Sequence, residues 1–197
     1  MTEPLKFEKI QLLKPKINSE ISLMTAMKNR KSERDFIPNK PLTLQQISNV
    51  LWSAYGVNRP ELPKNHNRTV PSAMYIYPIE FYVILEKGIF KYEPDDHILI
   101  PIVEGNYSEK SGGQDFVKNA SMNLIMFYKS NKKVGNQLDN NLIRAYIDCG
   151  HCSQNVYLCC AGENLKCVTR RMCDGEYFKK LLKLDNDVFL LAMSVGN

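Results

Sequence analysis

Arg68-Thr-Val-Pro-Ser-Ala-Met-Tyr-Ile-Tyr-Pro-Ile-Glu80 begins inside a loop, Val57 to Ser72, that is rich in Pro, Asn and Arg. Such a loop is long enough to be functional rather than a simple connector. The stretch leads straight into Glu80-Phe-Tyr-Val-Ile-Leu85, an aromatic and β-branched run that predicts a buried strand. Lys87-Gly88 turns the chain into Ile89–Tyr92, and His97–Val103 follows as a third strand. Gly112 and Gly113 precede a brief helix over Gln114–Asn119, and Asn123–Tyr128 is a central-strand candidate. A polar linker, residues 129–140, precedes a long helix from about Asn141 to Ala161. Leu142, Ala145, Tyr146, Cys149, Cys152, Val156 and Cys159 fall on one stripe of it. Cys167–Thr169 then reads as strand, Tyr177–Leu184 as helix and Val188–Ala192 as a final strand.

Upstream of the quoted stretch, Thr43-Leu-Gln-Gln46 is a capping box. Leu44, Ile47, Val50, Leu51 and Ala54 follow at helical spacing, and Gly56 is expected to end that helix in a left-handed conformation. Leu23, Met24 and Met27 after Ser22 predict a short helix ending near Arg30. Residues 1–18 are polar and Pro-punctuated, and read as an extended arm. Helices alternate with strands and hairpins around one mixed sheet. The fold class is therefore α+β, a mixed α/β layered arrangement, with residues 1–197 as one domain.

Composition narrows the function. At 197 residues and 44% hydrophobic content, the chain can bury one good core. The net charge of +5 is modest, and the aromatics sit in apolar strands rather than among Lys and Arg, which argues against nucleic acid. The apolar runs are far short of a membrane span, and Met1–Lys9 lacks the apolar core of a signal peptide, so a cytoplasmic location is expected. All six cysteines fall in the last quarter, a crowding that suits reduced thiols better than a disulfide framework.

Arg30, Ser32 and Arg34 lie on alternate residues just after the first predicted helix. At period two in an extended segment they point to one side, where two guanidinium forks and a hydroxyl can hold a single dianion.

With Arg68–Ala73 and Gln154-Asn155, this comb resembles the FMN-dependent nitroreductase family, and the likeness runs over nearly the whole chain from about Leu23. The nearest branch includes dehydrogenases that oxidise azolines in modified peptides; Trp52–Pro60 and Arg68–Ala73 carry that likeness. The resemblance implies a mainly antiparallel sheet flanked by helices, with FMN at a homodimer interface. It also implies a ping-pong exchange in which NAD(P)H gives a hydride to the flavin and a small acceptor, such as a nitro compound or quinone, takes it up. By resemblance Arg30, Lys31, Ser32 and Arg34 would hold the phosphate and ribityl chain. Pro71, Ser72, Ala73 and Tyr75 would border the ring from the partner subunit, with Arg68 on its pyrimidine side. Gln154, the turn at Leu165 and Lys166, and Arg170 complete the implied cofactor set. No acid–base constellation is required from side chains, and none is evident.

Three departures stand out. Tyr75 replaces a frequent Asn, Lys166 replaces a glycine that permits close backbone approach, and the chain stops at Val195-Gly-Asn197 where relatives carry a late basic residue. They motivate an alternative, a nitroreductase-like dimer that has lost its cofactor. A second alternative is a dithiol or metal-binding protein. Cys149-Gly-His-Cys152 is similar to the active motif of disulfide isomerases, but its position inside a helical pattern predicts buried, apolar fillers. His66 and His97 are expected to be surface or packing residues.

Overall fold

The computed structural model describes residues 5–63, 67–132 and 138–197. His66, the first four residues of the arm and residues 133–137 of the linker lie outside the described residues. The elements are β1 (Ile10–Gln11), α1 (Leu23–Asn29), α2 (Leu44–Tyr55), β2 (Ile79–Leu85), β3 (Gly88–Glu93), β4 (Ile98–Glu104), β5 (Met122–Tyr128), α3 (Leu138–Gly162), β6 (Lys166–Arg170), α4 (Gly175–Leu181) and β7 (Val188–Gly196). The brief segment Asp115–Asn119 is a 3-10 turn rather than an α-helix.

The strands form one seven-stranded sheet in the order β1-β4-β3-β2-β5-β7-β6, antiparallel at every pairing. Both faces are covered, and the period of two is legible in the burial. On β5, Met122, Leu124, Met126 and Tyr128 join Phe81, Val83 and Leu85 of β2 against α2 and α3. Ile125 and Phe127 alternate with them and meet Tyr82, Ile84 and Phe178 of α4 on the opposite face. This three-layer arrangement places α3 across the sheet, and α3 in turn carries α1 and α2.

Local sequence signals account for the helix starts. Thr43 accepts from the Gln46 amide at 3.2 Å, and Gln46 Oε1 accepts from the Thr43 amide at 2.9 Å, which completes the capping box. Ser22 caps α1 by accepting from Thr25 N at 3.1 Å. The left-handed stop expected at Gly56 is not present: Gly56 is extended, at φ −71° and ψ 169°. Glycine is needed there for space, because a Cβ would lie 2.3 Å from the Trp52 ring. Tyr146, expected on the buried stripe of α3, is 39% exposed. The stripe runs Ala145, Cys149, Cys152, Val156, Cys160 instead, gaps of four, three, four and four that follow the helical turn.

Glu80 on β2 ties neighbouring elements together, accepting from Lys91 of β3 at 2.8 Å and from Lys129 just after β5. Burial alone would raise its pKa, but the two lysines outweigh it and hold the carboxyl below its ordinary value. A carboxylate depressed in the folded state stabilises the protein above the unfolded pKa. That stability is lost as pH falls through the folded value, so Glu80 should weaken the fold below about pH 4. Thermal melts of the wild type and Glu80→Gln should therefore differ at pH 7 and converge on acidification. A constant gap across pH 3 to 7 would show that the ion cluster does not act this way.

Candidate functional site

The comb occupies the extended segment after α1, beside the C-terminal half of α3. Ser32 Oγ lies 2.8 Å from the Tyr157 hydroxyl, and the Arg30 guanidinium sits 5.4 Å from the centre of the same ring. The Thr169 amide donates to that hydroxyl at 2.9 Å, so Tyr157 joins the comb to β6. Thr169 Oγ1 is buried with no partner among the described residues. Glu33 N donates to Cys167 O at 2.9 Å and pins the segment alongside the strand.

Alternation places Arg30 and Ser32 together, as expected, and turns Lys31 the other way. Lys31 pairs with Glu33 at 3.1 Å and lines a cleft of about 720 Å³ with Lys28, Lys40, Leu165 and Lys166. Arg34 lies over a second ring, that of Phe116, at 5.8 Å. Among the described residues neither Arg30 nor Arg34 has a carboxylate partner. Gln154 is exposed on α3, one turn before Tyr157.

At the turn after α3, Asn164 adopts the left-handed conformation expected of it, at φ 54°. The Leu165 side chain is buried and its amide donates to Cys160 O at 2.8 Å, so neither is directed at a ligand. Lys166 Nζ donates to Asp35 O and ties this turn to the comb. Lys166 thus braces the segment.

The Arg68–Tyr77 stretch forms a second patch. Ser72 Oγ donates to Asp148 Oδ2 at 2.6 Å and accepts from Tyr77 N at 3.0 Å. Asp148 lies nine residues before Tyr157 on α3, roughly 13 Å along the helix, so the two patches are separate within one chain. Pro71, Ala73 and Tyr75 are exposed. Met74, Tyr75 and Tyr77 all have left-handed backbones, at φ 52°, 56° and 47°. Each costs on the order of 1–3 kcal/mol, and such strain concentrates at functional sites. Tyr is a bulky residue for this region, which Asn tolerates better.

Two expected contacts are turned inward. Arg68 is 8% exposed, pairs with Asp95 at 2.6 Å and lies over Tyr55 and Tyr77, leaving Nε and Nη1 without partners among the described residues. It anchors the functional loop to the β3–β4 turn. Arg170 is fully engaged: Nε donates to Ser194 Oγ at 3.0 Å, and Nη2 donates to Asn123 Oδ1 at 2.8 Å and Ser111 Oγ at 3.1 Å. Nη1 donates to Ser111 O and, at 3.2 Å, to Met172 O. Arginine has five N–H donors, and all five are taken, so Arg170 is a core cross-link rather than a flavin contact.

Asp148 was not expected at the site. Its signal was a carboxylate at a core-facing position, three residues after Ala145 and four before Cys152. Burial pushes its pKa up, while the Ser72 hydroxyl and His151 pull it down. The neighbouring thiols lie mid-helix in the core, as their position in the sequence implies. Burial raises Cys149 to about 12 and lifts Cys152 well above its ordinary value. A reactive dithiol needs the opposite shift. His97 is a packing residue whose Nδ1 lies 2.9 Å from the Tyr92 hydroxyl and whose Nε2 faces Ser48 Oγ at 2.7 Å.

The fold and the comb together define a layered α+β protein with two arginines that have no carboxylate partner among the described residues, beside the C-terminal half of its long helix α3. The chain belongs to the Nitroreductase family, an oxidoreductase family whose model matches residues 27–197. It is 29% identical over 187 residues to the nitroreductase-family protein MJ1384 of Methanocaldococcus jannaschii, covering 90% of this chain and 91% of that one. A nitroreductase-family crystal structure from Ralstonia eutropha superposes with a TM-score of 0.88 at 29% identity, over 96% of this chain and 89% of that one. NADPH:FMN oxidoreductase from Vibrio harveyi, crystallised with NAD+, shares the fold at a TM-score of 0.64 and 16% identity, over 89% and 68% of the two chains.

The family generally binds FMN, and the residues here fit its phosphate end. Two arginines without carboxylate partners, a hydroxyl at Ser32, the unpartnered Thr169 Oγ1 and the amide of Gln154 supply the donor types that a phosphate and a ribityl chain take up. Among the described residues no helix is long and apolar enough to cross a membrane.

Proposed function

We propose that this protein is a cytoplasmic FMN-dependent oxidoreductase that passes a hydride from NAD(P)H to a small acceptor by a ping-pong route. A nitro compound or a quinone is the kind of acceptor a shallow flavin face admits. The observation that carries this reading is the convergence of Arg30 and Ser32 on Tyr157, with neither Arg30 nor Arg34 paired to a carboxylate among the described residues. Unpaired guanidinium groups held over aromatic rings are positioned for an anion rather than for each other.

In this reading Arg30, Ser32 and Arg34 bind the phosphate, and Gln154 faces the ribityl chain. Bound FMN supplies a ring that accepts a hydride and returns two electrons. The protein's part is orientation and electrostatics, which is why no catalytic acid is assigned. Pro71, Ser72, Ala73 and Tyr75 border the ring from the partner subunit, the arrangement that the likeness to the family implies. A homodimer also suits the surface. Leu23, Met24 and Met27 of α1 are 61%, 72% and 48% exposed, and Ile143 and Ile147 of α3 are 57% and 54% exposed. Exposed apolar side chains on these two helices suit cover by a second subunit. NAD(P)H as donor is supported by the Vibrio harveyi oxidoreductase, which shares the fold and was crystallised with NAD+.

The test is direct. Purified protein should take up FMN with the visible flavin bands and a stoichiometry near one per chain. A colourless preparation that refuses added FMN would sink the reading and favour the cofactor-free alternative.

A further inference from the structure

We propose that Asp148 is the positioning residue for the Pro71–Tyr75 segment: its buried carboxylate, acting through Ser72, holds the left-handed turn that presents this segment to the cofactor. The proposal rests on the flavin reading above.

The Ser72 side chain is bonded in both senses, donating to Asp148 Oδ2 at 2.6 Å and accepting from Tyr77 N at 3.0 Å. The Ser72 carbonyl also accepts from Tyr75 N at 3.1 Å. Ser72 is thus the hub of the turn, and Asp148 is the fixed point outside it. The three residues with left-handed backbones, Met74, Tyr75 and Tyr77, all lie within the segment that these bonds close. None is glycine, so the conformation persists only if the surroundings over-determine it. The sheet-facing side of a long helix is a rigid place for such an anchor. Asp148 is 3% exposed on α3, flanked by Ala145, Cys149 and Cys152 at the core face.

The surroundings of Asp148 agree with a structural anion rather than a reacting one. It lines a small cavity with Ser72, Pro78, Tyr128 and Lys132, and Tyr128 Oη is buried there without a partner among the described residues. The four-letter thiol motif beginning at Cys149 therefore follows a carboxylate that has the clearer task. A hydroxyl-to-carboxylate bond is charge-assisted and stronger than a neutral one. Its loss should free the turn and change how Pro71, Ala73 and Tyr75 meet the ring, while Arg30 and Ser32 keep their grip on the phosphate.

Four variants decide the matter: Asp148→Ala, Asp148→Asn, Ser72→Ala and the double Ala variant, each checked for folding by its melting curve. In FMN-free protein, the amides of Tyr75 and Tyr77 should exchange with solvent at least roughly tenfold faster in Asp148→Ala and Ser72→Ala, with the α3 amides unchanged. The Asn variant should be largely rescued, because its amide oxygen still accepts from Ser72. In the FMN-loaded protein the Ala variants should also shift the flavin midpoint potential, and the double Ala variant should be no worse than either single one. Ser72→Ala lies at the rim and keeps the test open should Asp148→Ala not fold. Unchanged exchange at Tyr75 and Tyr77 in a folded Ala variant overturns the clamp, as does an Asn variant as damaged as the Ala one. Faster exchange with an unmoved potential overturns its link to the cofactor. If wild type takes up no FMN, the flavin reading fails by itself and the exchange comparison still judges the clamp.

Discussion

Replacing Arg30 and Arg34 together with alanine is expected to abolish retention of FMN through purification and to weaken its binding by roughly a hundredfold or more. Each charge-assisted bond from a guanidinium to a phosphate is worth about 1.5–3 kcal/mol, and two of them make the loss on the order of 3–6 kcal/mol. On the proposed reading the comb carries an unusual share of the hold, because the Leu165 amide is bonded to Cys160 O and Arg170 is bonded internally. Both arginines stand at the surface without carboxylate partners among the described residues, so their removal orphans no buried charge. The fold should be almost unaffected, with Tm within about 3 °C of wild type. Titration of apo-protein with FMN, followed by absorbance or quenching, measures the effect. Arg30→Lys keeps the charge but not the planar fork, and should restore only part of the affinity. Undiminished flavin binding by the double variant would show that the comb is not the phosphate site.

Arg170→Ala should have the largest effect on stability. The guanidinium is 6% exposed and donates to Ser111, Asn123, Met172 and Ser194. Its packing is so close that a Cβ on Gly112 would lie 2.5 Å from Nη1, which is why that position carries none. Truncation leaves several buried oxygens without donors, at about 1–3 kcal/mol each, together with a cavity. A net loss of about 4 kcal/mol or more is expected, and for a chain of this length that lowers Tm by roughly 10–15 °C. Lysine should not rescue it, since three donors on one point charge cannot reach acceptors spread around a plane. Thermal melts followed by circular dichroism provide the measurement, and a drop of under about 2 °C would mean that the cross-link adds little.

The elements that were legible beforehand depend on near neighbours. The capping box joins Thr43 to Gln46, and the left-handed Asn164 follows from its own side chain and the end of α3. The alternation of β2 and β5 is a property of each strand alone, and it assigns residues to the two faces before any partner is known. The comb was readable for the same reason, since period two places Arg30 and Ser32 on one side of an extended chain.

Gly56 departs from expectation locally: it is a glycine because the Trp52 ring four residues earlier lies over it, not because the backbone turns left-handed. Elsewhere, where expectation and structure part, the partner is distant in sequence. Arg34 lies over the ring of Phe116, 82 positions away, where Arg30 lies over Tyr157. Arg170 finds Asn123 at a separation of 47 positions and Ser111 at 59, and so becomes a core residue. Ser72 and Asp148 meet across 76 positions.

From the sequence alone came the layered α+β class, the family and the anion comb, because periodicity, caps and short motifs are set within a few residues. Only the tertiary structure decided which cations remain available to a ligand, and that the Arg68–Tyr77 stretch is held by a carboxylate on α3. Those outcomes depend on which distant donors and acceptors the packed sheet and helix bring within about 3 Å of one another.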